Sequence, residues 1–281
     1  RLSYTHLDIS VPVQGAMGDS ILAKVENFSD VQSLRLSGKL NSDDIYTLKY
    51  LLPNLYELDL ADLNWTAIPD EQFSGKTNLQ RVTLPNNVQT IGNNAFYNCQ
   101  NLKPITFPAT LTSIGSGAFS QTKITAAYMP EGITQIGSSA FSNCRFLENV
   151  TYPATAGTVP GRCFMRCLNL RTFSIPEGIT AIDGMAFYNC WPFNPRFPKS
   201  LSTIGYSAFY NTATDSLFVT DGMTVSNEAF GNCGNLVYAE WPTTFAWVES
   251  GTNRVVTNCS KLNKVKLMSP TVVANTTSFL D

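Results

Sequence analysis

The chain has 281 residues, of which only 14% are charged, and a formal net charge of −2. Polarity rests on Asn, Thr, Ser and Gly, so the chain lacks the basic face that nucleic acid requires. It also has no run of about 18 apolar residues to span a membrane.

The first 30 residues read as an N-terminal cap. Leu7, Ile9, Val11 and Val13 alternate with polar residues, the period of a strand. The stretch "GDSILAKVEN" (18–27) reads as a capped short helix with Ile21, Leu22 and Val25 on one face. From residue 31 the pattern changes. "VQSLRLSG" (31–38) and "LYELDLAD" (55–62) share the form L-x-x-L-x-L. Between them, Asp43 and Asp44 in "NSDDIYTL" lack the spacing of a calcium loop and read as a helix start.

Beyond this point the chain repeats. Phenylalanines fall at 73, 96, 119, 141, 164, 187, 209 and 230, in steps of 21 to 23, and the register resumes at Val256 and Phe279. In the regular units a proline precedes each Phe by eleven residues (Pro85, Pro108, Pro130, Pro153, Pro176, Pro198), and Pro242 marks a longer unit. One unit is "NLQRVTLPNNVQTIGNNAFYNC" (78–99). Val82 and Leu84 alternate around Thr83, as in a short half-buried strand, and the proline ends it because it cannot donate a ladder hydrogen bond. Val88 and Ile91 add inward residues, and Gly92, Gly115, Gly137 and Gly205 are read as turning the chain. "NNAF" is read as one short helical turn. Asn98, Asn143, Asn189, Asn211, Asn232 and Asn258 then bend the chain back, since Asn tolerates the left-handed region.

No single unit can bury its own Leu, Val, Ile and Phe, but stacked units cover one another. The expected architecture is an α/β solenoid. It is a leucine-rich repeat right-handed superhelix with short strands on one face and short helical turns or loops on the other. The expected divisions are the cap at 1–30 and a solenoid at 31–281 of about eleven coils of 21–26 residues. At about 4.8 Å per strand the stack is about 50 Å long.

The candidate chemistry is sparse. Cys99, Cys144, Cys167, Cys190, Cys233 and Cys259 form a column one coil apart, too dispersed for a zinc site, and Cys163 takes the place of an Ala. Thr122 and Thr212 substitute in two coils, as suits a small space-filling position. Packing thiols are the expectation, with a disulfide among Cys144, Cys167 and Cys190 as the alternative. His6, the only histidine, has no nucleophile beside it. The glycine motifs lack the Lys-Ser/Thr of a phosphate loop. Neither a catalytic residue, nor a metal, nor a cofactor is expected.

The pattern L-x-x-V-x-L-P-x-x-V-x-x-I-G-x-x-A-F-x-N-C, over about residues 31–281, resembles the BspA-like class of leucine-rich repeats. "LRLSGKLNSDDI" (34–45) looks like the first coil of surface proteins of gut and oral anaerobic bacteria that carry these repeats. The resemblance implies export to the cell surface, with a lipid anchor on a segment ahead of Arg1, or secretion. It also implies binding to host matrix proteins, bacterial surface partners or glycans. It carries no fixed ligand residues.

Function must then lie where the repeat leaves positions free. The outward column two residues before the proline position reads Thr83, Thr106, Tyr128, Thr151, Ser174, Arg196, Phe218, Glu240, Lys266. Its neighbour column carries Tyr238 among smaller residues. Tyr128, Arg196, Phe218, Tyr238 and Glu240 are the candidate partner-binding residues, because aromatic and Arg side chains anchor interfaces. The expectation is a monomeric, non-enzymatic adhesion module that engages a protein or glycan through its strand face. The alternative is a structural spacer within a larger surface protein.

Overall fold

The structure, a computed structural model, describes residues 5–11, 14–219, 222–241, 246–247 and 254–267. Val13, Pro242 and Phe279 lie outside them. The described chain is a parallel β-solenoid of about 11 turns with little helix.

Each regular coil contributes two short strands rather than one. The first ladder uses the "RVT" segment. It runs from His6–Val11 through Ser33–Gly38 and Glu57–Asp59 to Arg81–Thr83, resumes over Ala126–Tyr128, Asn149–Thr151 and Thr172–Phe173, and resumes again over Ser216–Phe218, Tyr238–Trp241 and Lys264–Leu267. Its two gaps fall at the coils holding Pro104 and Pro195, which cannot donate ladder hydrogen bonds. The second ladder is built from the "TI" segment. It links Ala67–Ile68, Thr90–Ile91, Ser113–Ile114 and Gln135–Ile136, and then five strands from Thr158–Val159 to Ala246–Trp247. All pairings are parallel and in register, for example Leu34↔Leu58 and Leu58↔Val82, so a fixed sequence offset becomes a straight row in space.

The "AF" segment is not a helical turn. Residues two before and two after each Phe are left-handed. Asn94 (φ 52°) and Asn98 (φ 58°) flank Phe96, and Met185 (φ 60°) and Asn189 (φ 57°) flank Phe187. The effect is to aim alternate N–H groups in two directions. Phe96 N donates to Ala118 O of the next coil at 2.8 Å, whereas Tyr97 N turns back to Asn94 O at 3.0 Å. The backbone of these turns is thereby satisfied between coils as well as within them. The expected left-handed Asn at the second position is found, from Asn143 (φ 59°) to Asn258 (φ 53°).

The glycines after the second strand serve another purpose than turning. None of Gly92, Gly115, Gly137 and Gly205 has a positive φ. A Cβ on Gly137 would instead lie 2.3 Å from Ser116 N, and one on Gly205 2.5 Å from Gly184 N. Close backbone approach between stacked turns excludes a side chain there.

The core is a column of rings. Phe73, Phe96, Phe119, Phe141, Phe164, Phe187, Phe209 and Phe230 are fully buried, with successive centroids 5.2–5.6 Å apart and near-parallel planes. That separation is the coil spacing of about 4.8 Å with a small lateral offset. Val256 is buried where the next Phe would stand.

At the N-terminal end Leu7, Ile9 and Val11 are buried and pair with the first coil. The short helix is Met17–Leu22. Met17 and Ile21 face inward, while Leu22 is 45% exposed, so Leu22 does not share the apolar face expected of it. No side chain of its own caps this helix. The buried carboxylate of Asp44 does so instead, accepting from Gly15 N at 2.7 Å, Met17 N at 2.9 Å and Asn41 N at 3.1 Å. Asn41 returns the interaction by capping Ser42–Tyr46 through Asp43 N and Asp44 N.

Candidate binding surface

The cysteine column is structural in its contacts. Each thiol donates to the carbonyl of the Phe one coil back: Cys99 to Phe73 at 3.0 Å, Cys144 to Phe119 at 3.0 Å, Cys167 to Phe141 at 3.2 Å and Cys190 to Phe164 at 2.8 Å. Thr122 and Thr212, at the same position, bond the Phe carbonyl of their own coil at 2.9 and 3.0 Å. All seven thiols are free, and only Cys259 is not fully buried. Burial pushes Cys99 up to about 12 and Cys144 up to about 11, which keeps them protonated and unreactive. Cys233 is drawn down instead, to about 7, by the hydrogen bond from Cys259 and then by the hydroxyls of Thr212 and Thr214, against its burial. Among the described residues no group of three or more His, Cys, Asp or Glu side chains is placed to hold a metal ion. No described helix is long and apolar enough to cross a membrane.

The strand face sorts the five candidate residues into one group and two outliers. Parallel register sets Phe218, Glu240 and Lys266 in one row and Ser216, Tyr238 and Lys264 in the next. Phe218 is 45% exposed, and its ring centroid lies 5.6 Å from that of Tyr238. The Tyr238 hydroxyl donates to Glu240 Oε2 at 2.8 Å, and Lys266 Nζ donates to Glu240 Oε1 at 3.2 Å. These two bonds, Tyr238's first, hold the Glu240 carboxyl below the usual carboxylate range, and the bond to Glu240 raises the Tyr238 phenol. The carboxylate therefore stays charged and fixed, with an aromatic pair beside it. Lys266 belongs to this group although its residue type does not single it out. Its place in the same column is the signal that could have found it.

Arg196 is not on a strand. Its coil is broken by Pro195, a departure from the expectation that every coil presents this column from a strand. Arg196 lies near Asp215, whose carboxyl is lowered by the Ser216 hydroxyl first, then by Asn194 and Arg196. Tyr128 is the most exposed aromatic among the described residues, at 63%, but stands on a small polar face with Thr151 across from it. It is four coils from Phe218, or about 19 Å at strand spacing. At the far end of the same ladder Arg35 is ion-paired with Asp62 at 2.6 Å and Asp59 at 3.6 Å.

Comparison with known proteins agrees with this architecture. The model of the BspA-type leucine-rich repeat region matches in six copies, over residues 66–194 and 162–281. A leucine-rich repeat protein from Bacteroides ovatus is 26% identical with a TM-score of 0.69, over 77% of this chain and 56% of that one. This chain thus spans little more than half of that relative's length. A leucine-rich repeat protein from Eubacterium ventriosum is 17% identical with a TM-score of 0.51, over 92% of this chain and 74% of that one. A leucine-rich cell surface protein from Faecalibacterium prausnitzii is 18% identical with a TM-score of 0.45, over 86% of this chain and 80% of that one. No curated protein matches the sequence.

Proposed function

The chain belongs to the BspA-type leucine-rich repeat family, and from that premise we propose that it is an exported, non-enzymatic binding module of a bacterial cell surface. It engages a protein or glycan through its strand face, centred on Phe218, Tyr238, Glu240 and Lys266. The observation that carries this reading is the exposed Phe218 against the half-buried Tyr238, beside a charge fixed by Tyr238 and Lys266. Such a patch is pre-ordered, so its side chains lose little entropy when a partner docks. Aromatic groups set at the centre of a contact carry most of its energy. Arg196 extends the patch along the face, and Tyr128 is a separate, weaker contact point.

The test is a screen of purified protein against host matrix proteins and glycan arrays. The Phe218→Ala/Tyr238→Ala double variant is then measured against each hit. Affinity is expected to fall at least about 100-fold, since anchors of this kind cost about 2 kcal/mol or more each. A hit that survives the double variant places binding elsewhere. Absence of any hit favours a spacer that presents another part of a longer protein.

A further inference from the structure

Two coils, those of Phe119 and Phe209, are a residue short in the turn after the Phe, and a cleft lies at the first. After Phe96 and Phe141 the chain reads "YNCQNL" (97–102) and "SNCRFL" (142–147), but after Phe119 it reads "SQTKI" (120–124). Leu102, Ile124 and Leu147 are buried equivalents, so the missing residue lies between Thr122 and Ile124 at the edge of the stack. The flanking turns stand past this gap. They border an open cleft of about 440 Å³ lined by Gln100, Gln121, Lys123, Asn143, Arg145 and Phe146. That volume falls in the ~300–1,000 Å³ range of small-ligand sites.

We propose that this cleft binds an acidic sugar residue, a pyranose ring bearing a carboxylate. The charge points that way first. Lys123 Nζ donates to the neutral Asn101 Oδ1 at 3.2 Å, and neither Lys123 nor Arg145 has an ion pair among the described residues. The lining holds two cations and no carboxylate. The amides point to hydroxyl groups. Each amide nitrogen gives one of its two N–H groups to the protein, which fixes the amide: Gln100 to Asn98 Oδ1 at 2.8 Å, Gln121 to the Tyr97 hydroxyl at 2.9 Å and Asn143 to Ser142 Oγ at 3.0 Å. Their carbonyl oxygens carry no protein bond among the described residues, so the cleft presents fixed acceptors beside free cationic donors. A uronate or sialate matches this set with hydroxyls that donate and a carboxylate that accepts. Phe146, 48% exposed, offers a flat apolar surface to the ring's C–H face. An acidic peptide supplies carboxylates without the array of hydroxyl donors.

The site lies on a turn edge some coils from Phe218, so it stands apart from the strand-face reading, and the failure of one leaves the other intact. The experiment is calorimetric titration of the full chain with glucuronate, N-acetylneuraminate, neutral glucose and a hexa-aspartate peptide as probes. At least one acidic sugar is expected to bind about tenfold or more tighter than glucose, with an affinity that falls as salt rises. Arg145→Gln, an exposed change checked for folding by circular dichroism, is expected to cost about tenfold, and Lys39→Gln, an exposed change in the first coil, nothing. Inserting one Asn after Lys123, to restore the full-length turn, is expected to abolish binding. Equal affinity for glucose, tighter binding of hexa-aspartate, no binding of either acidic sugar, or indifference to Arg145→Gln would each overturn the proposal.

Discussion

Phe141→Ala removes one ring from the centre of the buried column. Phe141 is fully buried, with centroids 5.4 Å from Phe119 and 5.6 Å from Phe164 and planes within 9° of both. Truncating a buried Phe costs about 3–5 kcal/mol, and each stacked pair adds about 0.5–1.5 kcal/mol. Collapse cannot relieve much of this, because the flanking backbones are pinned by Phe119 N to Ala140 O at 2.8 Å and Phe141 N to Cys163 O at 2.9 Å. The expected loss is therefore about 4–8 kcal/mol. Phe73, which stacks on Phe96 alone within the column, should lose about 1 kcal/mol less on the same change. Each coil touches only its neighbours, so the damage is local. Urea denaturation followed by circular dichroism gives the energies, and native-state hydrogen exchange gives the location. Exchange should accelerate first over the coils around residues 119–164. A loss below about 2 kcal/mol, a loss equal to that of Phe73→Ala, or uniform acceleration along the chain would refute the nearest-neighbour account.

Asp44→Ala strips the caps from Gly15, Met17 and Asn41 N–H groups, and should cost about 2–4 kcal/mol in denaturation, with proteolysis beginning in the first 30 residues. Gly137→Ala should cost at least about 1–3 kcal/mol because its Cβ meets Ser116 backbone at 2.3 Å, whereas Gly132→Ala, whose nearest contact is 3.4 Å, should stay within about 1 kcal/mol. Denatured, unreduced protein should titrate close to seven free thiols, and a count of five or fewer would contradict the packing role. The protonated thiols of Cys99 and Cys144 stabilise the fold fully below about 9, and this is lost as pH rises through about 12 and about 11. In reducing buffer the wild-type chain should therefore lose up to about 1.4 kcal/mol per pH unit more than Cys144→Ala between about pH 9 and 11. Parallel pH profiles for the two would count against the mechanism.

The architecture is legible in the sequence because in-register parallel stacking turns a fixed offset into a contact. The Phe column, the buried cysteines and the left-handed Asn of "AFYNC" all follow from the period alone. So does the meeting of Phe218, Tyr238, Glu240 and Lys266, whose positions share or adjoin one column. Tyr128 and Arg196 show the limit of that reasoning. The period gives a column but not the distance along it, nor the break that Pro195 makes in a strand. Other features depend on which atoms face each other across coils. Glu71, Arg162, Met185 and Glu228 adopt φ values of 53–60° that their residue types disfavour, held there by hydrogen bonds to the next turn. Asp44 reads as a local helix start, yet it also closes a helix 27 residues away. The repeat shows which coils are short, but not that the cleft at the Phe119 coil is lined by Lys123 and Arg145 with Phe146. The repeat thus determines the scaffold. The tertiary structure decides the sites, because they arise where neighbouring coils differ.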